Sequence, residues 1–122
     1  MTKTVKGVIK GIGFAVEGFL GAFREDVHFR INLALSLTGT AVSLAVLNGC
    51  TAILVGFINF SVLVVELLNT AVERAVDTAT SEFKPSAKLA KDAAAAAVLS
   101  VGLFALTVDL TVVLPELIRR LS

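Results

Sequence analysis

VVELLNTAVERAVD, residues 64–77, carries a charge-free apolar run directly into three carboxylates and an amide. On a helix turning ~100° per residue, Glu66, Asn69, Thr70, Glu73 and Asp77 fall within a sector of roughly 100°, while Leu67, Leu68, Val72 and Val76 face elsewhere. An ionisable side chain at bilayer depth costs about 2.5–3.5 kcal/mol on insertion scales. Glutamates two turns apart on one apolar helix therefore need protein, water or a cation as compensation. The stripe reads as a functional site.

Its surroundings argue for a membrane. Hydrophobic residues make up 56% of the 122 and charged residues 17%, against about 45–50% and about 25% in an average soluble chain. Mean hydropathy is +0.87. No charged residue occurs from Ile31 to Val65, a run longer than the ~20 residues that one span needs. Ala93 to Val108 is charge-free as well. Net charge is only +1, which excludes a nucleic-acid partner, since phosphate binding needs a concentrated basic surface. The single Cys50 excludes an internal disulfide and a cysteine-based metal site.

Working outward, the pattern predicts an all-α membrane protein of one domain, residues 1–122, with a surface helix at about 4–22 and spans at about 30–47, 52–77 and 86–114. The first 22 residues resemble a leader peptide in placing Lys3, Lys6 and Lys10 before an apolar patch, but Gly11, Gly13, Glu17, Gly18 and Gly21 interrupt it and no cleavage motif follows. Val5, Val8, Ile12, Ala15, Phe19 and Ala22 recur at helical spacing, as in an interfacial amphipathic helix. FREDVHFR, residues 23–30, reads as a solvated connection. Asn48-Gly49 is a strong turn signal between the first two spans. A polar connection around Ser81 and Ser86 follows the second, Pro85 opens the third helix, and Pro115, Glu116, Arg119 and Arg120 end the chain.

Paired carboxylates suit a hard divalent cation, and Mg²⁺ commonly takes one or two of them plus substrate phosphates. The soluble phosphate-binding machinery is missing: no G-x-x-x-x-G-K-[ST] occurs, and the glycines of KGIGFAVEG miss the G-x-G-x-x-G spacing. A lysine at 91 stands where the third span begins and can meet a phosphate. On these grounds phosphoryl transfer, a proton or cation pathway and structural glue between helices all stay open.

Two segments carry a resemblance. ELLNTAVERAVD at 66–77 and SEFKPSAKLAKDAAAAAVL at 81–99 resemble the E-[LI]-x-N-[ST]-A-[IV]-E-x-x-V-D and S-E-[YF]…A-K-D-x-x-[AS]-A-A-V-L signatures of the prokaryotic diacylglycerol kinases, a family that includes undecaprenol kinases. EDVHFRINL at 25–33 resembles that family's E-x-x-F-R element, so the match covers nearly the whole chain. The resemblance implies a homotrimeric lipid kinase of the bacterial cytoplasmic membrane, using Mg²⁺ and ATP to phosphorylate a membrane lipid alcohol at sites shared between subunits. It implies Glu66 as general base and Asn69 as the amide that orients the site. It implies Asp26 and Glu73 as metal ligands, with Glu25 as the alternative to the short Asp26. Lys91 and Asp92 match ATP contacts, Glu82, Phe83 and Lys84 the segment beside the adenosine, and Phe14 a position where some members carry tyrosine near the nucleotide. Gly7 stands where some members have arginine. HFRIN at 28–32 resembles the N-F-R-I-H form found more often in undecaprenol kinases. The rival class is a non-enzymatic cation-conducting oligomer.

Orientation follows from the basic residues. Lys3, Lys6, Lys10, Arg24, Arg30, Arg74, Lys84, Lys88 and Lys91 flank the first span or link the second to the third, whereas the Asn48-Gly49 turn has none. The positive-inside rule places those segments in the cytoplasm against the weaker pull of Arg119 and Arg120. Impermeant thiol labelling of intact cells is therefore expected to reach Cys50 and to miss a Lys84→Cys probe on a cysteine-free background. Labelling of that probe from outside reverses the orientation.

Overall fold

The structure, a computed structural model, describes residues 3–122. Met1, Thr2 and the Lys3 side chain, which belong to the leader-like stretch and its basic cluster, lie outside the described residues. The chain is all-helical: α1 spans Lys3–Glu25, α2 Val27–Val46, α3 Gly49–Ala79, α4 Pro85–Val108, followed by a π-helical segment Asp109–Val113 and α5 Leu114–Leu121. Among the described residues three stretches, Val27–Val46, Gly49–Ala79 and Pro85–Leu121, are long and apolar enough to cross a membrane. Leu35, Ile53, Phe57, Leu99 and Phe104 point outward from them, which suits contact with lipid better than contact with water.

FREDVHFR is not a connecting loop. Only Asp26 leaves helical geometry, and the segment instead caps two helices. Asp26 Oδ1 accepts the amides of His28 at 2.8 Å and Phe29 at 3.1 Å, satisfying orphan donors at the start of α2. Arg30 donates to the carbonyls of Phe23 and Arg24, both at 3.2 Å, at the end of α1. Phe29 is fully buried with Ala22 and Leu63 and meets Phe19 edge-on at 5.2 Å between centroids. Truncating such an aromatic typically costs about 3–5 kcal/mol, so this one side chain ties α1 to both α2 and α3.

Two of the expected boundaries shift. The break after the first span is shorter than its turn residues suggest, because Gly49 adopts φ +56° and the chain re-enters helix at once. Pro115 does not end the last helix either. The Leu114 amide reaches back five residues to the Asp109 carbonyl, and this wider π turn accommodates the proline ring, so helix continues to Leu121. There Arg120 donates to the Ala45 carbonyl at 3.2 Å, capping α2, while Glu116 pairs with Arg119 and Arg120.

At the centre stands α3, whose 31 residues make about 46 Å of helix against a hydrocarbon core of about 30 Å. It packs along both α2 and α4, while α2 meets the last helix chiefly at the π segment and α5. A core of Val46, Leu47, Ala52, Val55 and Val113 closes that end. Next to it Asn59 donates to Asp109 Oδ1 at 2.8 Å and to the Val55 carbonyl at 3.3 Å. Asp109, a carboxylate within the long apolar last helix, is therefore held by an amide on α3. The fit requires glycine at 39, where a Cβ would lie 2.3 Å from Asn59 Oδ1. Gly39→Ala is expected to push Asn59 off Asp109 and to destabilise by about 1–3 kcal/mol, the usual overpacking cost. Gly56→Ala, whose new Cβ meets only ordinary 3.6 Å contacts, is the control. Thermal unfolding in detergent compares the two, and equal midpoints would refute the packing argument.

Candidate active site

Depth along α3 sorts its polar row. Glu66 is 2% exposed, Asn69 and Thr70 are buried, Glu73 is half-buried and Asp77 is exposed. Thr70 donates to the Glu66 carbonyl at 3.2 Å and to Asp26 Oδ2 at 2.8 Å. The aspartate that caps α2 thus also holds α3. Burial raises the affinity of the Asp26 carboxyl for its proton, but hydrogen bonds from the Phe29 amide, the Thr70 hydroxyl and the His28 amide outweigh it and leave the pKa below its ordinary value. Asp26 is an anion at neutral pH.

Asn69 donates to Glu73 Oε1 at 3.3 Å, while its own Oδ1 is buried with no donor among the described residues. Asp26, His28, Thr70, Glu73, Arg74 and Asp77 border a polar cleft of about 420 Å³. Among the described residues no three His, Cys, Asp or Glu side chains converge as a complete metal cage. Glu25 pairs with Arg74, whereas Asp26 reaches across to the α3 row.

A second cleft, of about 700 Å³, is shared at Asp77 and is lined by Glu82, Phe83, Lys84, Lys91 and Asp92 among others. Lys91 donates to both oxygens of Asp77, at 2.9 and 3.2 Å, and Lys88 pairs with Asp92 one turn further on. Five of the six residues matched to a nucleotide therefore share one wall. Phe14 stands apart, 70% exposed on α1 and lining neither cleft, because α1 is fastened to the rest only near its C-terminal end.

Thr70 and Asn32 were not singled out by sequence for what they touch. Thr70 lies in the stripe, and its neighbour from α2 is a tertiary fact. Asn32, seven residues before Gly39 on α2, stands level with Glu66, seven residues after Asn59 on the antiparallel α3, because Gly39 packs against Asn59, and nothing in its spacing announces that. Asn59 was visible in principle, since it precedes Glu66 by the same seven residues that separate Glu66 from Glu73.

Architecture and site together define an all-helical membrane protein with a row of carboxylates running from its packed interior to an exposed, lysine-bearing cleft. The family model for prokaryotic diacylglycerol kinase matches residues 13–113. A diacylglycerol kinase of Pseudomonas aeruginosa is 37% identical over 95 residues, 76% of each chain. One of Helicobacter pylori is 39% identical over 101 residues, 80% of this chain and 77% of that one. An undecaprenol kinase of Bacillus subtilis is 48% identical over 52 residues, 43% of this chain and 42% of its own. The chain belongs to the prokaryotic diacylglycerol kinase family and is a membrane-embedded lipid kinase.

Proposed function

We propose that the protein transfers the γ-phosphoryl group of ATP to the primary hydroxyl of a membrane lipid alcohol, with Mg²⁺, at the cytoplasmic face of the bacterial cytoplasmic membrane. The observation that carries this reading is the single row from Glu66 through Glu73 to the Lys91 cleft, which spans the distance from a buried acceptor to a soluble donor. As a kinase family, its relatives support ATP as donor. The donor set suits Mg²⁺: Asp26 and Glu73 are two carboxylates bordering one cleft, and Asn69, whose Nδ2 donates to Glu73, keeps its buried Oδ1 without a donor among the described residues, consistent with an ion that takes its remaining ligands from phosphate and water. Bound there, the ion would neutralise charge on the transferred group.

The chain's own residues do the rest, and phosphoryl transfer is mostly positioning and electrostatics. Glu66 takes the hydroxyl proton as the new O–P bond forms and the bond to the ADP oxygen breaks. Asn69 orients Glu73 through its amide. Lys91 exchanges the Asp77 carboxylate for a nucleotide phosphate, a small step because exposed ion pairs are worth about 0–1 kcal/mol. Glu82, Phe83, Lys84 and Asp92 border the space left for the nucleoside, and Phe14 joins them only from another copy or after α1 moves. A homotrimer with shared sites is part of this reading. Support comes from the cleft's incomplete walls.

Glu66→Gln is expected to lose ~10²–10⁴-fold in turnover, the usual worth of a positioned base, while MgATP affinity stays near normal. Glu73→Gln is expected to raise the MgATP requirement as well as to slow turnover. Nucleotide affinity and lipid-phosphate production, measured side by side at saturating lipid, distinguish them. Equal loss of nucleotide binding would show the roles are wrongly divided, and full activity in Glu66→Gln would end the mechanism. Mass measurement in a native membrane mimic is expected to return a trimer, and a fully active monomer would overturn the shared site.

A further inference from the structure

Between α2 and α4, on a floor made by α3, lies a cavity of about 330 Å³ whose polar lining is Asn32, Ser36, Thr38, Asn59 and Asp109. The hydroxyls of Ser43, Ser61, Ser100, Thr107 and Thr111 donate to carbonyls of their own helices, the ordinary fate of such groups in apolar surroundings. Ser36 does not. It is 2% exposed, and its hydroxyl has no partner among the described residues. A buried donor left unmade costs about 1–3 kcal/mol.

The cavity is ordered by depth. Its shallow end is Asn32, seven residues before Gly39 on α2 and so level with Glu66, seven residues after Asn59 on the antiparallel α3, since Gly39 packs against Asn59. Ser36 follows one turn along α2, about 6 Å deeper. The deep end is shut by the Asn59–Asp109 bond against Gly39, where α2 and the last helix converge. A lipid with its hydroxyl at Glu66 therefore passes Ser36 with the atoms that follow that hydroxyl within a few bonds. We infer that Ser36 selects the acceptor: its hydroxyl donates to an ester carbonyl next to the transferred oxygen, so the cavity takes a diacylglycerol in preference to a polyprenol. This rests on the kinase reading above. In a polyprenol those atoms are hydrocarbon, and Ser36 stays unpaired. Asp109 lies a further turn down, clear of the carbonyl, and its bond to Asn59 keeps the floor in place.

The test measures kcat/KM in mixed micelles for dioleoylglycerol, its dialkyl ether analogue and a long polyprenol, with wild type and Ser36→Ala. Wild type is expected to favour dioleoylglycerol over both others. Ser36→Ala is expected to lose ~5–10-fold on dioleoylglycerol, the worth of one neutral hydrogen bond, and to stay within about twofold on the ether and the polyprenol. Its thermal midpoint should hold or rise, because an unpaired polar group has been removed. An ether analogue as good as the ester, an equal effect of Ser36→Ala on all three, or a wild-type preference for polyprenol overturns the inference and leaves the kinase reading intact; a hydroxyl that holds only water gives the equal-effect result. Phosphorylation of none of the three would instead overturn the kinase reading itself, and this inference with it.

Discussion

One carboxylate, Asp26, holds the site end of the molecule together. Its first oxygen caps α2, and its second binds Thr70 in the middle of α3, so the residue that starts one span also fixes the rotation of the next. The consequence reaches the chemistry, because the α3 face that Thr70 presents to Asp26 also carries Glu66, Asn69 and Glu73. Charge at Asp26 is maintained chiefly by hydrogen-bond donors belonging to the fold, with the His28 side chain adding a smaller favourable charge.

The same logic governs the rest of the membrane-level structure. With no water in hydrocarbon, each polar group must find protein, and most find their own helix. The interhelical exceptions include Thr40, whose hydroxyl donates to the Gly56 carbonyl at 3.2 Å, and the Asn59–Asp109 pair, which coincides with a glycine opposite and a π segment beneath. The π turn makes room for Pro115 and begins at the residue whose side chain is held from α3. Interhelical hydrogen bonds in bilayers average about 0.6 kcal/mol, so this pair contributes more through register than through energy: it sets where α4 sits along α3 and hence where the cavity beneath Glu66 stops.

The exposed end is built oppositely. Lys91–Asp77, Lys88–Asp92 and Arg74–Glu25 are solvent-facing pairs, individually weak and readily exchanged. A buried carboxylate, Glu66, near loosely paired lysines suits the proposed division between a donor arriving from water and an acceptor arriving from lipid.

What the sequence by itself determined is periodic and compositional. The all-helical class, three apolar stretches and the polar row on one face of α3 follow from charge placement and a turn of ~100° per residue, and the two signature segments specified the family. Asn-Gly marked the tight reversal because only a residue tolerant of positive φ starts α3 there. Sequence erred where local signals compete with packing: FREDVHFR is polar enough for a loop, yet its charges are the caps that make it helix, and Pro115 is a helix breaker unless a wider turn receives it. Only the tertiary structure decided that Thr70 meets Asp26, that Asn32 stands level with Glu66, that Asn59 holds Asp109 and that Ser36 is left alone. Each of these depends on the rotation and height of one helix against another, and a one-residue change in register would move every such side chain by ~100° to a different neighbour.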